Sequence, residues 1–290
     1  MGFMHIENLY KCQDILLFKE CYALEKVHGT SAHVVWKDGQ LVFFPGGEKL
    51  ERFKSLFNVA ELTERFKKLG HPEVTVFGEA YGGSCQKMAH TYGKELKFVA
   101  FDVQIGECWL SVPEMVEVVK ELGLEAVHFE RIPTSLEAID AQRDAPSVQA
   151  QRNGMGGDKK REGIVLRPLV EMRTSDGSRV IAKHKRDDFS ERQTPQKVED
   201  PARLKVLEDA TAIAVEWVTP MRLTHVLDKL PQTIGLDQTR VVVEAMIEDV
   251  TREAKGEIVP SKEAVRAIGR RAAELFKQHL QEKAFANVKG

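Results

Sequence analysis

No apolar run in this chain approaches the roughly 20 residues needed to span a bilayer, and the N-terminus lacks the basic-then-apolar pattern of a secretion signal. The expected setting is therefore cytoplasmic, with no membrane partner. Cysteine is scarce: Cys12, Cys21, Cys85 and Cys108 are the four present. They form no CxxC pair, which argues against a zinc ribbon or a disulfide framework and for reduced, partly buried thiols. An excess of one charge is also missing, since 42 Lys and Arg face 44 Asp and Glu for a net charge of −2. The chain as a whole offers no attraction for a polyanion, so any nucleic-acid surface must come from local clustering of basic residues. Internal repeats and low-complexity tracts are absent. What is present is 290 residues, 42% hydrophobic and 30% charged, enough for one large or two ordinary globular domains.

The patterning predicts an α+β protein. Ile15 to Phe18 is a short apolar lead-in. Leu24 to Ser31 then carries Lys26 into a tight glycine-containing turn. Alternating residues Ala32 to Trp36 and Gln40 to Phe44 flank Asp38-Gly39, a strong hairpin signal. Apolar residues from Leu50 to Leu69 recur at helical spacing, in two pieces broken near Asn58. Strands are expected at Val74–Glu79, with Thr75, Phe77 and Glu79 on one face, and at Phe98–Ile105, with Val99, Phe101 and Val103 on one face. Helices are expected at Pro113–Leu122 and Ser135–Arg143, and further strands at Glu162–Pro168 and Arg179–Lys185. On the last strand alternation places Lys183 and Lys185 together and His184 opposite. Ser190 to Pro201 reads as a linker. Helices follow from Asp200-Pro201, Thr219-Pro220, Gln238 and Ser261. The expected domains are 1–197, built on antiparallel sheet, and 198–290, all helical.

Lys26, Glu79, Glu162, Lys183 and Lys185 put charge at strand ends or on defined strand faces, where such groups must meet one another or a ligand. Lys26-Val27-His28-Gly29-Thr30 resembles the motif that holds the nucleophilic lysine of polynucleotide ligases and capping enzymes. Phe77-Gly78-Glu79, Phe101-Asp102, Glu162 to Pro168 and Ile181 to Lys185 follow in the order of that superfamily's other motifs. Among its members the chain most resembles the phage-type nick-sealing RNA ligases, the RNA ligase 2 family. His at the third position of the lysine motif and the helical tail opening at Glu216 to Leu230 carry that finer likeness.

The resemblance implies an adenylyltransferase domain followed by a helical domain that engages RNA ends. It implies ATP and Mg²⁺ or Mn²⁺ as cofactors, and RNA with 5′-phosphate and 3′-OH ends, nicked or duplex, as partner of a monomer. Lys26 would attack the α-phosphorus as a neutral amine, with Lys183, Lys185 and the metal disfavouring its protonated form. Glu162 would hold the metal through its water shell. Glu79 would bind the ribose hydroxyls, Phe101 would stack on adenine, and His28 would serve AMP transfer or sealing. Glu25 and Arg167 would complete the nucleotide site, the arginine at a phosphate. His184 reads as structural, and Lys159-Lys160-Arg161 as a solvated loop or a weaker RNA contact.

Two positions depart from the pattern. Ser31 stands where relatives carry Asn. The strand after the hairpin lacks the usual phosphate-contacting arginine, leaving Lys49, Arg52 or glycine backbone amides near Gly46-Gly47 as substitutes. In the tail Arg222, Lys229, Arg240, Arg270 and Arg271 are candidates for an RNA surface. The alternatives are a capping-type guanylyltransferase or DNA ligase using the same lysine chemistry, against which the helical tail argues, and a non-catalytic RNA-end-binding protein.

Overall fold

A computed structural model describes residues 2–190, 208–231 and 234–288, with side chains described through 283. The chain divides into two compact units, Met1–Arg186 and Asp187–Gly290. The expected division at 197/198 and the expected helix start at Asp200-Pro201 lie outside the described residues.

The first unit is built on two antiparallel sheets. One has the order β7 (Phe129–Pro133), β1 (Glu20–Lys26), β8 (Gly163–Pro168), β9 (Ala182–Lys185); the other runs β3 (Gln40–Phe44), β2 (Thr30–Lys37), β4 (Glu73–Gly82), β5 (Leu96–Ile105), β6 (Cys108–Trp109). Asp38 and Gly39 both take positive φ, 51° and 77°, which gives the two-residue turn between β2 and β3 a twist matching its strands. In the first sheet Lys26 pairs with Gly163 and Gly163 with Lys185; Leu24 pairs with Val165 and Val165 with Lys183; Tyr22 pairs with Arg167. Directly opposed residues share a face, so Lys26, Lys183, Lys185 and Arg167 project from one side of this sheet. Glu25 and His184 project from the other. Lys26 is thus the last residue of β1, where the sequence placed it in the following turn.

The helices follow their local signals. Helix α1 (Leu50–Lys54) and α2 (Val59–Leu69) are separated by Asn58, whose side chain accepts from the Glu61 amide as an N-cap, and Gly70 closes α2 in the left-handed region. After the short α3 (Ala89–Tyr92), α4 (Val112–Glu121) begins with a Ser111–Glu114 capping box. Helix α5 (Leu136–Asp144) is capped by Ser135 and α6 (Val148–Arg152) by Ser147. Strand β7 and helices α3 and α6 were not legible in the sequence, being short and weakly periodic.

One strand departs from simple alternation. Gly78 pairs with Ala100 and Phe77 with Asp102, so β5 bulges at Phe101. Beyond the bulge Val103 opposes Val76 while Asp102 opposes Phe77. Val103 therefore does not share the face of Val99, contrary to the expected alternation.

In the second unit α7 (Ala210–Trp217), α8 (Pro220–Asp228), α9 (Thr239–Glu253) and α10 (Lys262–Val288) enclose a core of Trp217, Leu223, Val226, Met246, Ile268 and Phe276. No helix among the described residues is long and apolar enough to cross a membrane.

Candidate active site

The site is assembled where β1 ends and β8 begins. The Glu162 amide donates to the Lys26 carbonyl at 3.2 Å, and the Arg186 amide donates to the Glu162 carbonyl at 2.9 Å, so the backbone brings three motifs to one point. At that point Glu162, 2% exposed, is shared. Lys26 Nζ donates to its Oε2 at 3.0 Å, Lys185 Nζ lies 3.0 Å from its Oε1, and His28 Nδ1 lies 3.3 Å from Oε2. Burial pushes the Glu162 carboxyl up, but Lys185, Lys26 and His28 together outweigh burial and hold it well below the usual carboxylate range. The immediate neighbour of Lys26 is thus a carboxylate, one of the charged groups expected to meet one another or a ligand. His28 is fixed from behind, its amide donating to the buried Tyr92 hydroxyl at 3.2 Å. Lys183 sits farther into the sheet, opposite Val165 on the face shared with Lys26.

The turn after Lys26 packs tightly on β4. A Cβ on Gly29 would lie 2.2 Å from the Ala80 carbonyl oxygen, a clash with backbone that only glycine avoids. This approach lets the Gly29 amide donate to Glu79. Burial drives the Glu79 carboxyl up to about 7, with Lys26 pulling it down and Glu162 pushing it up. A carboxyl raised from 4.5 to about 7 on folding contributes stability that is full below about pH 4.5 and is lost as pH rises through about 7. Glu79→Gln is therefore expected to gain about 2 kcal/mol over the wild type as pH goes from 5.5 to 8. Urea unfolding of both proteins at the two pH values measures this, and a constant difference would refute it.

Several expected site residues are used elsewhere. Arg167 is 1% exposed; it donates to Asp102 at 3.0 Å, to Glu171 at 2.9 Å and to the Leu110 carbonyl. Arg179 joins from the other side, 2.7 Å from Asp102 and 2.9 Å from Glu171, with its guanidinium 4.1 Å from the Trp109 ring centroid. Arg167 is thus part of a buried ion-pair network tying the two sheets together, where the resemblance implied a phosphate contact. Glu25, on the opposite face of β1, accepts from the Ser147 hydroxyl at 2.6 Å and the Val148 amide at 3.0 Å, anchoring the start of α6. The resemblance implied a place for it in the nucleotide site. Arg161 is buried against the Pro146 and Gln142 carbonyls, so it belongs to neither a solvated loop nor an RNA surface. His184 meets Asp140 at 2.7 Å, in keeping with a structural role.

Among the substitutes for the missing arginine, Gly47 spends its amide on the Thr30 hydroxyl at 2.8 Å. Arg52 reaches Ser84 at 3.0 Å while pairing with Glu48 at 3.1 Å. Lys49 is exposed. In the tail Arg222 is 1% exposed and bonds the Trp217 carbonyl and Asp249, which removes it from the candidate RNA surface.

Among the described residues no group of three or more His, Cys, Asp or Glu side chains is placed to hold a metal. Both Glu162 oxygens already face cations. This donor set fits a hydrated Mg²⁺ or Mn²⁺ held by one or two carboxylates together with substrate oxygens, and does not fit an all-protein cage. The Asp102–Arg179–Glu171 network was missed in the sequence. Its one available signal was a charge, Asp102, inside an otherwise apolar strand.

Residues 19–185 match the family model described as RNA ligase. No curated protein matches the chain. Among solved structures it is similar to Naegleria gruberi RNA ligase with PPi and to a lysine-to-alanine mutant of that ligase with ATP and Mn. Each shows a TM-score of 0.51 and 20% identity, over 65% of this chain and 57% of the other. A lysine-to-methionine mutant with AMP and Mn is similar at 19% identity and the same TM-score and coverage. The chain thus spans little more than half the length of those proteins, and the likeness is one of fold. The family-model match reaches from before β1 to the last residue of β9, taking in every residue of the Lys26–Glu162–Lys185 cluster, and on that match the chain belongs to the RNA ligase family.

Proposed function

We propose that this protein is an ATP-dependent RNA ligase that joins 3′-OH and 5′-phosphate ends, of the nick-sealing RNA ligase 2 type. The observation that carries the reading is Glu162 shared between Lys26 and Lys185 at 3.0 Å each, with His28 alongside. In the first step the Lys26 amine attacks the α-phosphorus of ATP. A nitrogen–phosphorus bond forms, the bond to pyrophosphate breaks, and the lysine proton is lost. Glu162 orients Nζ; a carboxyl held this far below its usual range is a poor resting place for that proton, which passes to solvent. Lys185 and Lys183 supply positive charge toward the phosphates from the same sheet face. Mg²⁺ or Mn²⁺, held through water by Glu162 with Glu79 near, would neutralise phosphate charge. In the second step a 5′-phosphate oxygen of RNA attacks the adenylate, freeing Lys26. In the third a 3′-OH attacks that 5′-phosphorus and expels AMP. His28, within reach of Glu162, is assigned to these transfers. Glu79 is assigned to the ribose hydroxyls and Phe101 to the adenine.

The test is incubation with α-labelled ATP or GTP, metal and a nicked RNA duplex. The expected products are a labelled protein from ATP and a sealed strand. Labelling from GTP in preference would favour a capping enzyme, and no labelling would overturn the reading. Truncation near Lys197 is expected to retain labelling and to lose sealing, because the helical tail is assigned to RNA and not to ATP. A truncated protein that seals at the full rate would remove that assignment.

A further inference from the structure

The bulge on β5 leaves Phe101 without a cross-strand partner, since its neighbours Ala100 and Asp102 take Gly78 and Phe77. The ladder therefore does not fix how the Phe101 ring lies. Phe3 does. Its ring centroid lies 4.9 Å from that of Phe101 at 77°, 5.1 Å from Phe77 at 60° and 5.7 Å from Trp109 at 89°, all edge-to-face. Phe101 nevertheless stays only partly buried.

The segment carrying Phe3 is itself held at the site. The Lys183 amide donates to the Glu7 carbonyl at 2.9 Å, and the Leu9 amide donates to the Lys183 carbonyl at 2.8 Å, with Asn8 bridging Lys183 in parallel. Leu9 is fully buried. One short stretch thus grips β9 at a lysine assigned to phosphate and delivers a ring to the side chain assigned to adenine.

We infer that Phe3 is a positioning residue for the base platform, anchored through Glu7–Leu9 on β9 and holding Phe101 in the orientation that receives adenine. This rests on the ligase reading, under which Phe101 meets the base. Two measurements on the full chain test it: calorimetric titration with AMP, and the ATP dependence of lysyl-adenylate formation. Phe3→Ala is expected to weaken AMP binding and raise the half-saturating ATP concentration roughly three- to ten-fold, the size of a lost aromatic pair. The maximal rate should stay within about two-fold, and Phe3→Tyr should restore both affinities. Phe3→Leu, which keeps apolar bulk for folding, should behave like alanine. Unchanged affinities in Phe3→Leu, or a loss confined to the maximal rate, would overturn the inference, as would a wild type that does not bind AMP. A wild type that binds AMP and forms no adenylate would instead fail the ligase reading, and the AMP titration would still decide the role of Phe3.

Discussion

Lysyl-adenylate formation is expected to disappear in Lys26→Ala while the fold survives. The amine supplies the bonding electron pair, so no neighbour can stand in for it at the same position. The loss should be structurally mild: the Lys26 side chain is 24% exposed at a strand end, and Glu162 keeps Lys185 at 3.0 Å and His28 at 3.3 Å. Lys185→Ala should retain the nucleophile and slow the step by roughly 10²–10³, the usual effect of removing one charge-stabilising contact. Mass spectrometry of protein incubated with ATP reads both variants, and circular dichroism checks the fold. Persistent adenylation of Lys26→Ala would show that the nucleophile lies elsewhere.

The second large effect is on stability and lies away from the reacting atoms. Asp102, 1% exposed, holds Arg167 at 3.0 Å and Arg179 at 2.7 Å. Asp102→Asn keeps the volume but leaves two buried guanidiniums with Glu171 as their remaining carboxylate. Breaking a buried ion pair from one side costs about 3–5 kcal/mol. For a unit of this size that lowers Tm by roughly 10 °C. Arg167→Ala should act the same way, losing stability before any specific loss of ATP affinity. A folded, thermally unaltered Arg167→Ala that binds ATP poorly would return this arginine to the phosphate site. The prediction depends on the network bridging strands from both sheets, because a surface pair of the same groups would be worth little.

The groups proposed to react were legible because their chemistry dictates residue type at short range. Lys26 ends its strand just before a tight turn that needs glycine, and Gly29 has no room for a Cβ against Ala80. Alternation likewise placed Lys183 and Lys185 on one face, since side-chain direction along a regular strand repeats every two residues. Helices α2 and α4 were also readable from the sequence, and the structure shows them capped by Asn58 and Ser111.

Other features depend on contacts between residues far apart in the chain. The alternation rule failed at Phe101 because a bulge inserts one residue, and the partner strand decides where that happens. Glu25 and Arg167 stand beside the site in sequence, yet their side chains serve α6 and the Asp102 network; a carboxylate or guanidinium goes to whichever partners the folded chain brings to it. Phe3, remote from every motif, meets Phe101 only because the stretch behind it is bonded to Lys183. By itself the sequence determined which residues are proposed to react, Lys26, Glu162 and the Lys183 and Lys185 pair, because that chemistry calls for those residue types. The tertiary structure alone decided which of the remaining charges reach that site and which are consumed in holding the sheets together, because a buried charge must be paired and its partners lie on other strands.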